Sequence, residues 1–158
     1  MGSICGGYFT LSISKYCFNL GDSMDERKTT AGVLVKNGRT FIAKRIQEGS
    51  VGGLWEFVGG KNRYEETLID TLKREFMEEL NVEVKVKDKI CSYDFVNKEV
   101  LYHLNIFFVE VDSWENLRLR NHSEVEWVSF EELLKRDFVP SDKACFSRII
   151  EALQAKKF

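Results

Sequence analysis

The sequence has little proline, few histidines and no closely spaced cysteines. Of its 158 residues, one is proline (Pro140), two are histidines (His103 and His122) and four are cysteines, none in a CxxC pair. The cysteine and histidine spacing excludes a zinc-ligand pattern in the sequence. We therefore expect reduced, mostly buried thiols in a cytoplasmic protein.

A strong charge of either sign and a long apolar run are also absent. The formal net charge of −2 gives no overall attraction to a nucleic acid polymer or an anionic membrane surface. No apolar segment reaches the roughly 18 residues that a membrane-spanning helix needs. We therefore expect neither a nucleic acid polymer nor a membrane as a partner.

The N-terminal residues differ in pattern from the rest of the chain. Phe9, Leu11 and Ile13 alternate with polar residues, which is typical of a strand. Met24 begins a stretch, MDERKTTAGVLV, that resembles an ordinary protein start. We treat residues 1–24 as an N-terminal extension, an added edge strand or an artefact of the chosen start site. Residues 25–158 then form a single domain with a substantial core.

Hydrophobic periodicity predicts strands and helices in a mixed order. The helices are expected at about 65–80, ended by Asn81, at 130–135, capped by Ser129, and from Ser141 onward. The predicted strands are 31–36, 40–46, 54–58, 82–94, 99–112 and 124–129. This order predicts an α+β fold in which helices cover a mixed sheet.

The helix at 65–80 carries more acids than its position favours. Six acidic and two basic side chains between Glu65 and Glu79 give a local charge of −4. On a helical wheel Glu79 falls within the apolar stripe, and Glu75 and Glu78 border it. A carboxylate there is costly unless it is paired or bound to a metal.

Two interpretations of this acidic helix remain open. One is a solvated acidic face with a single buried Glu–Arg pair. The other is a carboxylate cluster that binds a hard divalent cation, Mg²⁺ or Mn²⁺, of the kind that serves phosphate chemistry.

The spacing of these residues resembles the signature of the Nudix hydrolase family, G-x5-E-x7-R-E-U-x-E-E-x-G-U, where U is a bulky apolar residue. Here Gly60 precedes Glu66, which precedes Arg74-Glu75-x-x-Glu78-Glu79, and Asn81 replaces the last glycine. The stretch GLWEFVGGK at 53–61 resembles the MutT-type branch, with Val58 in place of the usual proline. The similarity covers about residues 28–152.

The resemblance implies an α/β/α sandwich with a mixed central sheet. It also implies a set of metal ligands: the carbonyl of Gly60 and the side chains of Glu75, Glu78 and Glu79. Catalytic roles are implied for Glu75 or Glu78 as the proton acceptor, with Glu66 and Arg74 as a supporting ion pair.

A later loop in some relatives supplies a further glutamate, in a Glu-His-x-Glu stretch. Here that stretch reads Asn121-His122-Ser123-Glu124. Asn121 cannot accept a proton at neutral pH, which leaves Glu124 as a candidate substitute.

Four residues are candidates for binding a nucleotide. Arg45 and Lys61 are either phosphate contacts or ordinary surface charges. Phe57 is either a wall on which a base stacks or a core residue. Asp142 either contacts the base edge or complements a helix N-terminus.

The resemblance predicts Mg²⁺-dependent hydrolysis of a nucleoside triphosphate, an oxidised or noncanonical one included, to the monophosphate and pyrophosphate. One alternative is a pyrophosphatase for another nucleoside diphosphate derivative such as ADP-ribose. Another is a Nudix-fold nucleotide-binding module without turnover. The expected partner is a small nucleotide, and both a monomer and a homodimer remain open.

Overall fold

The computed structural model describes residues 24–156. The strand expected at 9–13 therefore lies outside the described residues. The strands are β1 (Asp25–Val33), β2 (Val35–Lys36), β3 (Arg39–Arg45), β4 (Trp55–Glu56), β5 (Gly59–Lys61), β6 (Val84–Asn97), β7 (Val100–Val111) and β8 (His122–Val128). The helices are α1 (Leu68–Leu80), α2 (Phe130–Leu133), α3 (Pro140–Lys143) and α4 (Phe146–Ala155). Between residues 24 and 156 there is no helix with the length and apolar content to cross a membrane.

The strands form two four-stranded sheets. The first has the order β5-β1-β7-β6, in which β1 runs parallel to β7 and the outer pairs are antiparallel. The second contains β2, β3 and β4, and β8 pairs with β3. The first sheet is therefore mixed, as the resemblance implied.

Alternation along β7 divides the core into two layers. Ile106 and Phe108 belong to a buried cluster that includes Ile149 of α4. Phe107 and Val109 belong to a second cluster with Leu72, Phe76 and Leu80 of α1. Successive side chains on a strand point to opposite faces, so the two helices lie on opposite sides of the sheet. The predicted α/β/α arrangement is confirmed.

Helix α1 ends at the residue that the sequence predicts, but it begins later than predicted. Asn81 has a left-handed backbone (φ 57°), and its N–H donates to the carbonyl of Met77. The predicted start near Glu65 is wrong because Glu65 has a positive φ of 65°, which a helix excludes. Thr67 is the N-cap, and its side chain accepts a hydrogen bond from the backbone N–H of Asp70.

The C-terminal helix is divided into α3 and α4, which corrects the prediction of one helix from Ser141 onward. Pro140 occupies the first turn of α3, and Val139 is its N-cap without a side-chain hydrogen bond. The backbone N–H of Cys145 donates to the carbonyl of Asp142 at 3.0 Å, which tightens the junction between the two helices. The predicted cap of α2 is confirmed, because Ser129 forms a reciprocal capping box there.

Candidate active site

The three signature glutamates lie on the C-terminal half of α1. Glu79 is 8% exposed, as its place in the apolar stripe predicts, whereas the side chain of Glu78 is 40% exposed. The side chain of Glu75 lies between these extremes, at 13%. One end of the helix therefore presents carboxylates at increasing depth, from solvent to the core.

Arg74 holds several of the acids in place. Its Nε and Nη2 donate to the carboxylate of Glu66 at 2.6 and 3.0 Å. Its Nη1 donates to Glu75 at 2.7 Å and to Glu78 at 3.0 Å, and Nη2 also donates to the carbonyl of Lys61. The hydrogen bond from Arg74 lowers the pKa of Glu66 to about 2, and Glu66 in turn raises the pKa of Arg74. The expected Glu66–Arg74 ion pair is present, and it orients two candidate metal ligands.

Gly60 brings the backbone of β5 against the carboxylate of Glu75. A Cβ atom at this position would collide with that carboxylate, so a larger residue would have to displace the side chain of Glu75. The carbonyl of Gly60 accepts a hydrogen bond from the hydroxyl of Thr29 at 2.9 Å. The hydroxyl of Thr30 donates to the same oxygen at 3.5 Å, so a cation at this carbonyl would compete with these hydroxyl groups for its two lone pairs.

A second group of side chains meets Glu79 from the opposite direction. One ligand atom each of Glu56, Glu79 and His122 lies within 4.8 Å of the others. The Nε2 atom of His122 is 2.8 Å from Glu56 and 3.9 Å from Glu79. Arg45 donates through Nη1 to both carboxylate oxygens of Glu56, at 3.0 and 2.9 Å.

Sequence reasoning did not identify Glu56 and His122 as part of this group. The available signal was an acid within the apolar stretch LWEFV, whose neighbours Trp55 and Phe57 point to the other face. For His122 the signal was its place beside Asn121 in the later loop. Asn121 contacts the group, since its Nδ2 atom lies 3.4 Å from Glu79, whereas Glu124 pairs with Lys44 on the surface.

The carboxylate of Glu79 has too few hydrogen-bond partners to offset the cost of its burial. Its Oε2 atom is buried without a hydrogen-bond partner. Burial raises the pKa of Glu79 to about 7; His122 and the hydrogen bond from Asn121 oppose the shift, whereas the charge of Glu56 adds to it. A divalent cation would supply the missing partner, and a donor set dominated by carboxylates suits a hard ion. The residues present therefore fit a divalent cation.

A cavity of about 590 Å³ adjoins these acids. Gly60 and Glu56 line it at the acidic side, together with the predicted substrate residues Arg45 and Lys61. Lys61 is exposed, and its Nζ atom lies 5.5 Å from the ring centre of Tyr102, which also lines the cavity. The cavity is large enough for a small ligand and carries cations close to the carboxylates.

Residues 139–142 also line the cavity. Asp142 is 5% exposed, and its Oδ2 atom accepts a hydrogen bond from the backbone N–H of Phe57 at 2.8 Å. Burial raises the pKa of Asp142 to about 7, so both protonation states are accessible near neutral pH. Its carboxyl group can thus accept hydrogen bonds or, when protonated, donate one.

Of the two roles open for Phe57, a wall on which a base stacks or a core residue, the structure shows the core residue. Its ring is 2% exposed and packs in the core against Phe138 and Phe146, with ring centres 5.2 and 6.2 Å away. The residue acts instead through its backbone N–H, which holds Asp142. Aromatic rings do line the cavity, but they come from β6 and β7: Tyr93, Phe95 and Tyr102.

The fold agrees with comparisons to known proteins. The NUDIX domain profile matches residues 26–149. The chain therefore belongs to the Nudix family of hydrolases. It is 30% identical over 115 residues to the CTP pyrophosphohydrolase of Escherichia coli, an alignment that covers 73% of this chain and 84% of that protein.

Two further proteins are similar to the chain, one in sequence and one in structure. It is 35% identical over 99 residues to the 8-oxo-dGTP diphosphatase of Proteus vulgaris, covering 59% of this chain and 84% of the relative. The solution structure of the E. coli ORF135 protein superposes with a TM-score of 0.75 at 27% identity, covering 85% of this chain and 95% of that one.

Proposed function

We propose that this protein hydrolyses a nucleoside triphosphate, in a Mg²⁺-dependent reaction, to the nucleoside monophosphate and pyrophosphate. One observation carries the proposal: a single cavity is lined by Glu56 and Gly60, beside the candidate cation ligands, and by the buried carboxyl group of Asp142. A cavity that combines a cation-binding wall with a buried carboxyl group suits a ligand that carries both phosphates and a base. Curated relatives named for CTP and 8-oxo-dGTP support the same class of substrate.

The acidic end would hold the cation. Glu75, Glu78, Glu79 and the carbonyl of Gly60 are its ligands, and Mn²⁺ is an alternative to Mg²⁺ because the donors are oxygen atoms. When bound, the cation neutralises phosphate charge and lowers the pKa of a water molecule.

The proton from that water requires a positioned carboxylate within reach. Glu75 and Glu78 are both oriented by Arg74, and one of them accepts the proton. Arg74 is fixed in turn by its two hydrogen bonds to Glu66. Glu66 and Arg74 therefore act as positioning residues for this step.

The remaining predicted residues line the same cavity. Lys61 and Arg45 are cationic side chains that can stabilise phosphate oxygens. Asp142 has a carboxyl group that can be charged or neutral, so it can pair with the ring and amino groups of a base. Tyr102 and Phe95, stacked with ring centres 5.2 Å apart, add an aromatic surface to the cavity.

Hydrolysis of a substrate panel tests the proposal. The panel contains CTP, the other common ribo- and deoxyribonucleoside triphosphates, 8-oxo-dGTP and ADP-ribose, each with Mg²⁺ or with a chelator. We expect a triphosphate to be cleaved to its monophosphate and pyrophosphate only when the cation is present. Cleavage confined to ADP-ribose would favour the diphosphate-derivative alternative, and binding without turnover would favour a non-catalytic module.

We also propose that the protein acts in the cytoplasm. Cys91 and Cys145 are buried and free, the state expected in a reducing compartment. Cell fractionation tests this placement, and recovery of the protein in a secreted or membrane fraction would contradict it.

A further inference from the structure

Asn62 and Thr71 form a polar bridge between the end of β5 and helix α1. Asn62 follows directly after β5, and Thr71 lies near the start of α1. The Nδ2 atom of Asn62 donates to the hydroxyl of Thr71 at 2.7 Å and to the backbone carbonyl of Glu66 at 3.0 Å. The signature specifies neither Asn62 nor Thr71, because both fall within its open positions. The bridge is therefore a feature of this chain beyond the family pattern.

The hydroxyl of Thr71 extends the bridge to the carboxylate of Glu66. It lies 3.1 Å from the Oε2 atom of Glu66 and 2.9 Å from the carbonyl of Thr67, so its one proton is shared between two acceptors. The backbone N–H of Arg63 and the Nη2 atom of Arg74 donate to the same Oε2 atom, each at 3.0 Å. Three donors therefore converge on one oxygen, and Thr71 is the one that is completely buried.

The position of the Glu66 carboxylate determines the direction of Arg74. Arg74 donates to Glu66 through Nε and Nη2, while its Nη1 atom donates to Glu75 and Glu78. A guanidinium group is planar and rigid, so the two bonds to Glu66 determine where Nη1 points. A shift of the Glu66 carboxylate would therefore change the hydrogen bonds to two candidate cation ligands.

Asn62 also connects the bridge to the backbone side of the cation site. Its N–H donates to the carbonyl of Lys28 on β1 at 2.9 Å. Two residues earlier is Gly60, whose carbonyl is the backbone ligand that the resemblance implies. Between them, the carbonyl of Lys61 accepts a hydrogen bond from Nη2 of Arg74 at 3.0 Å. One hydrogen-bond network thus joins the strand that carries Gly60 to the carboxylates of α1.

We propose that Asn62 and Thr71 are positioning residues for the divalent cation, because their hydrogen bond holds Glu66 and Arg74 in the arrangement that orients the carboxylate ligands. The inference rests on the cation site of the proposed function and not on the identity of the nucleotide. Without the hydroxyl of Thr71, Glu66 loses a donor and Nδ2 of Asn62 loses an acceptor. Removing a residue that holds metal ligands in place typically weakens metal binding by about 10–100-fold.

The test compares Thr71→Val with the matched control Thr40→Val. Both substitutions remove a hydroxyl group and keep the shape of the side chain. Thr40 is also completely buried, and its hydroxyl donates to the carbonyl of Leu34 at 2.9 Å, so each variant loses buried hydrogen bonding. Mn²⁺ is titrated into each full-length protein without nucleotide, and the free ion is measured by electron paramagnetic resonance. We expect the dissociation constant for Mn²⁺ to rise about tenfold in Thr71→Val and to be unchanged in Thr40→Val.

Two further variants separate the hydrogen bond from the packing of Thr71. Thr71→Ser keeps the hydroxyl and should restore most of the affinity for Mn²⁺. Asn62 is partly exposed, so Asn62→Ala should fold even if Thr71→Val does not, and it should weaken Mn²⁺ binding as well. The double variant Asn62→Ala with Thr71→Val should lose less than the product of the two single effects, because both remove the same hydrogen bond.

Equal Mn²⁺ affinities in Asn62→Ala, Thr71→Val and wild type would overturn the inference alone. It would also be overturned by an equal loss in Thr71→Ser and Thr71→Val, by an equal loss in Thr40→Val, or by single effects that multiply in the double variant. If wild type binds no Mn²⁺, the cation site and this inference fail together. If wild type binds Mn²⁺ but cleaves no nucleoside triphosphate, the proposed function fails, and the Mn²⁺ affinities of the variants still decide the inference.

Discussion

The Nε2 atom of His122 lies 2.8 Å from the Oε1 atom of Glu56, and the imidazole is completely buried. A carboxylate only accepts hydrogen bonds, so Nε2 carries the proton in this pair. The contact joins β8 to β4 directly above Glu79 of α1, whose Oε2 atom is 3.9 Å from the same nitrogen. Three elements therefore meet through polar groups at the inner end of the site.

Replacing His122 should destabilise the fold. In His122→Ala, Glu56 loses one buried donor and a cavity replaces the imidazole, which should cost about 1–3 kcal/mol of unfolding free energy. Urea unfolding at pH 7 measures this loss. The matched control is His103→Ala, since His103 is 31% exposed and its partners Asp94 and Glu26 are surface residues, so the loss should stay below about 1 kcal/mol. Equal losses in both variants would contradict the structural role of His122.

Gly60→Ala should impair activity more than stability. The new methyl group would displace the carboxylate of Glu75, and a misplaced ligand of this kind costs on the order of 100-fold in kcat/KM. The control is Gly38→Ala, where a Cβ meets open space but φ is +70°. That variant should lose about 1 kcal/mol of stability and keep its activity. Steady-state kinetics and urea unfolding of both proteins separate the two effects.

The Glu66–Arg74 pair should give a pH-dependent contribution to stability. The pKa of Glu66 is depressed to about 2 in the folded protein, so its contribution is present above the ordinary value of 4.5 and is lost as the pH falls toward 2. Wild type should therefore exceed Glu66→Gln in unfolding free energy at pH 6, and the difference should shrink below pH 4.5. A difference that stays constant across this range would rule out the ion pair as its source.

Asp142 should make the folded protein less stable as the pH rises, which is the opposite of the effect of Glu66. Its folded pKa is raised from 3.8 to about 7, so the unfolded chain releases this proton first and wild-type stability falls as the pH rises between those values. Asp142→Asn has no such carboxyl group to titrate. Its unfolding free energy relative to that of wild type should therefore rise by at most about 4 kcal/mol between pH 4 and pH 7. Glu79 also titrates near pH 7 but is common to both proteins, so its effect cancels. Urea unfolding at intervals of pH measures the gain, and a flat difference would show that Asp142 is ionised throughout.

Local sequence signals predicted α1 and its acids well. The left-handed tolerance of Asn81 marks the end of the helix, and the position of Glu79 within an apolar stripe indicates its burial. The register of Arg74 and Glu66, eight residues apart, predicts that they lie on the same side. The end of the helix and the burial of Glu79 depend on residues within one element, where helical geometry determines the neighbours. Glu66 precedes the N-cap Thr67, so its pairing with Arg74 also depends on the path of the chain before α1.

Contacts between distant elements could not be predicted in the same way. His122 reaches Glu56 across 66 positions of sequence, and Asp142 reaches Phe57 across 85. Both contacts depend on how β8 and α3 pack against the strand that ends at Glu56, which periodicity does not specify. For the same reason the sequence could not predict whether the side chain of Phe57 lies in the core or lines the cavity. Its packing against Phe138 shows that it lies in the core.

The central claim is that the carboxylates of α1 hold the cation that hydrolysis requires, and Glu78→Gln tests it most directly. Glu78 is 40% exposed and lies between Arg74 and Arg63, so the substitution should leave the fold intact. Glu83→Gln, an exposed position just beyond the helix, is the matched control. With a cleaved nucleoside triphosphate and saturating Mg²⁺, we predict that kcat falls by about 10²–10⁴-fold in Glu78→Gln and is unchanged in Glu83→Gln. Equal kcat values for Glu78→Gln and wild type would contradict the account.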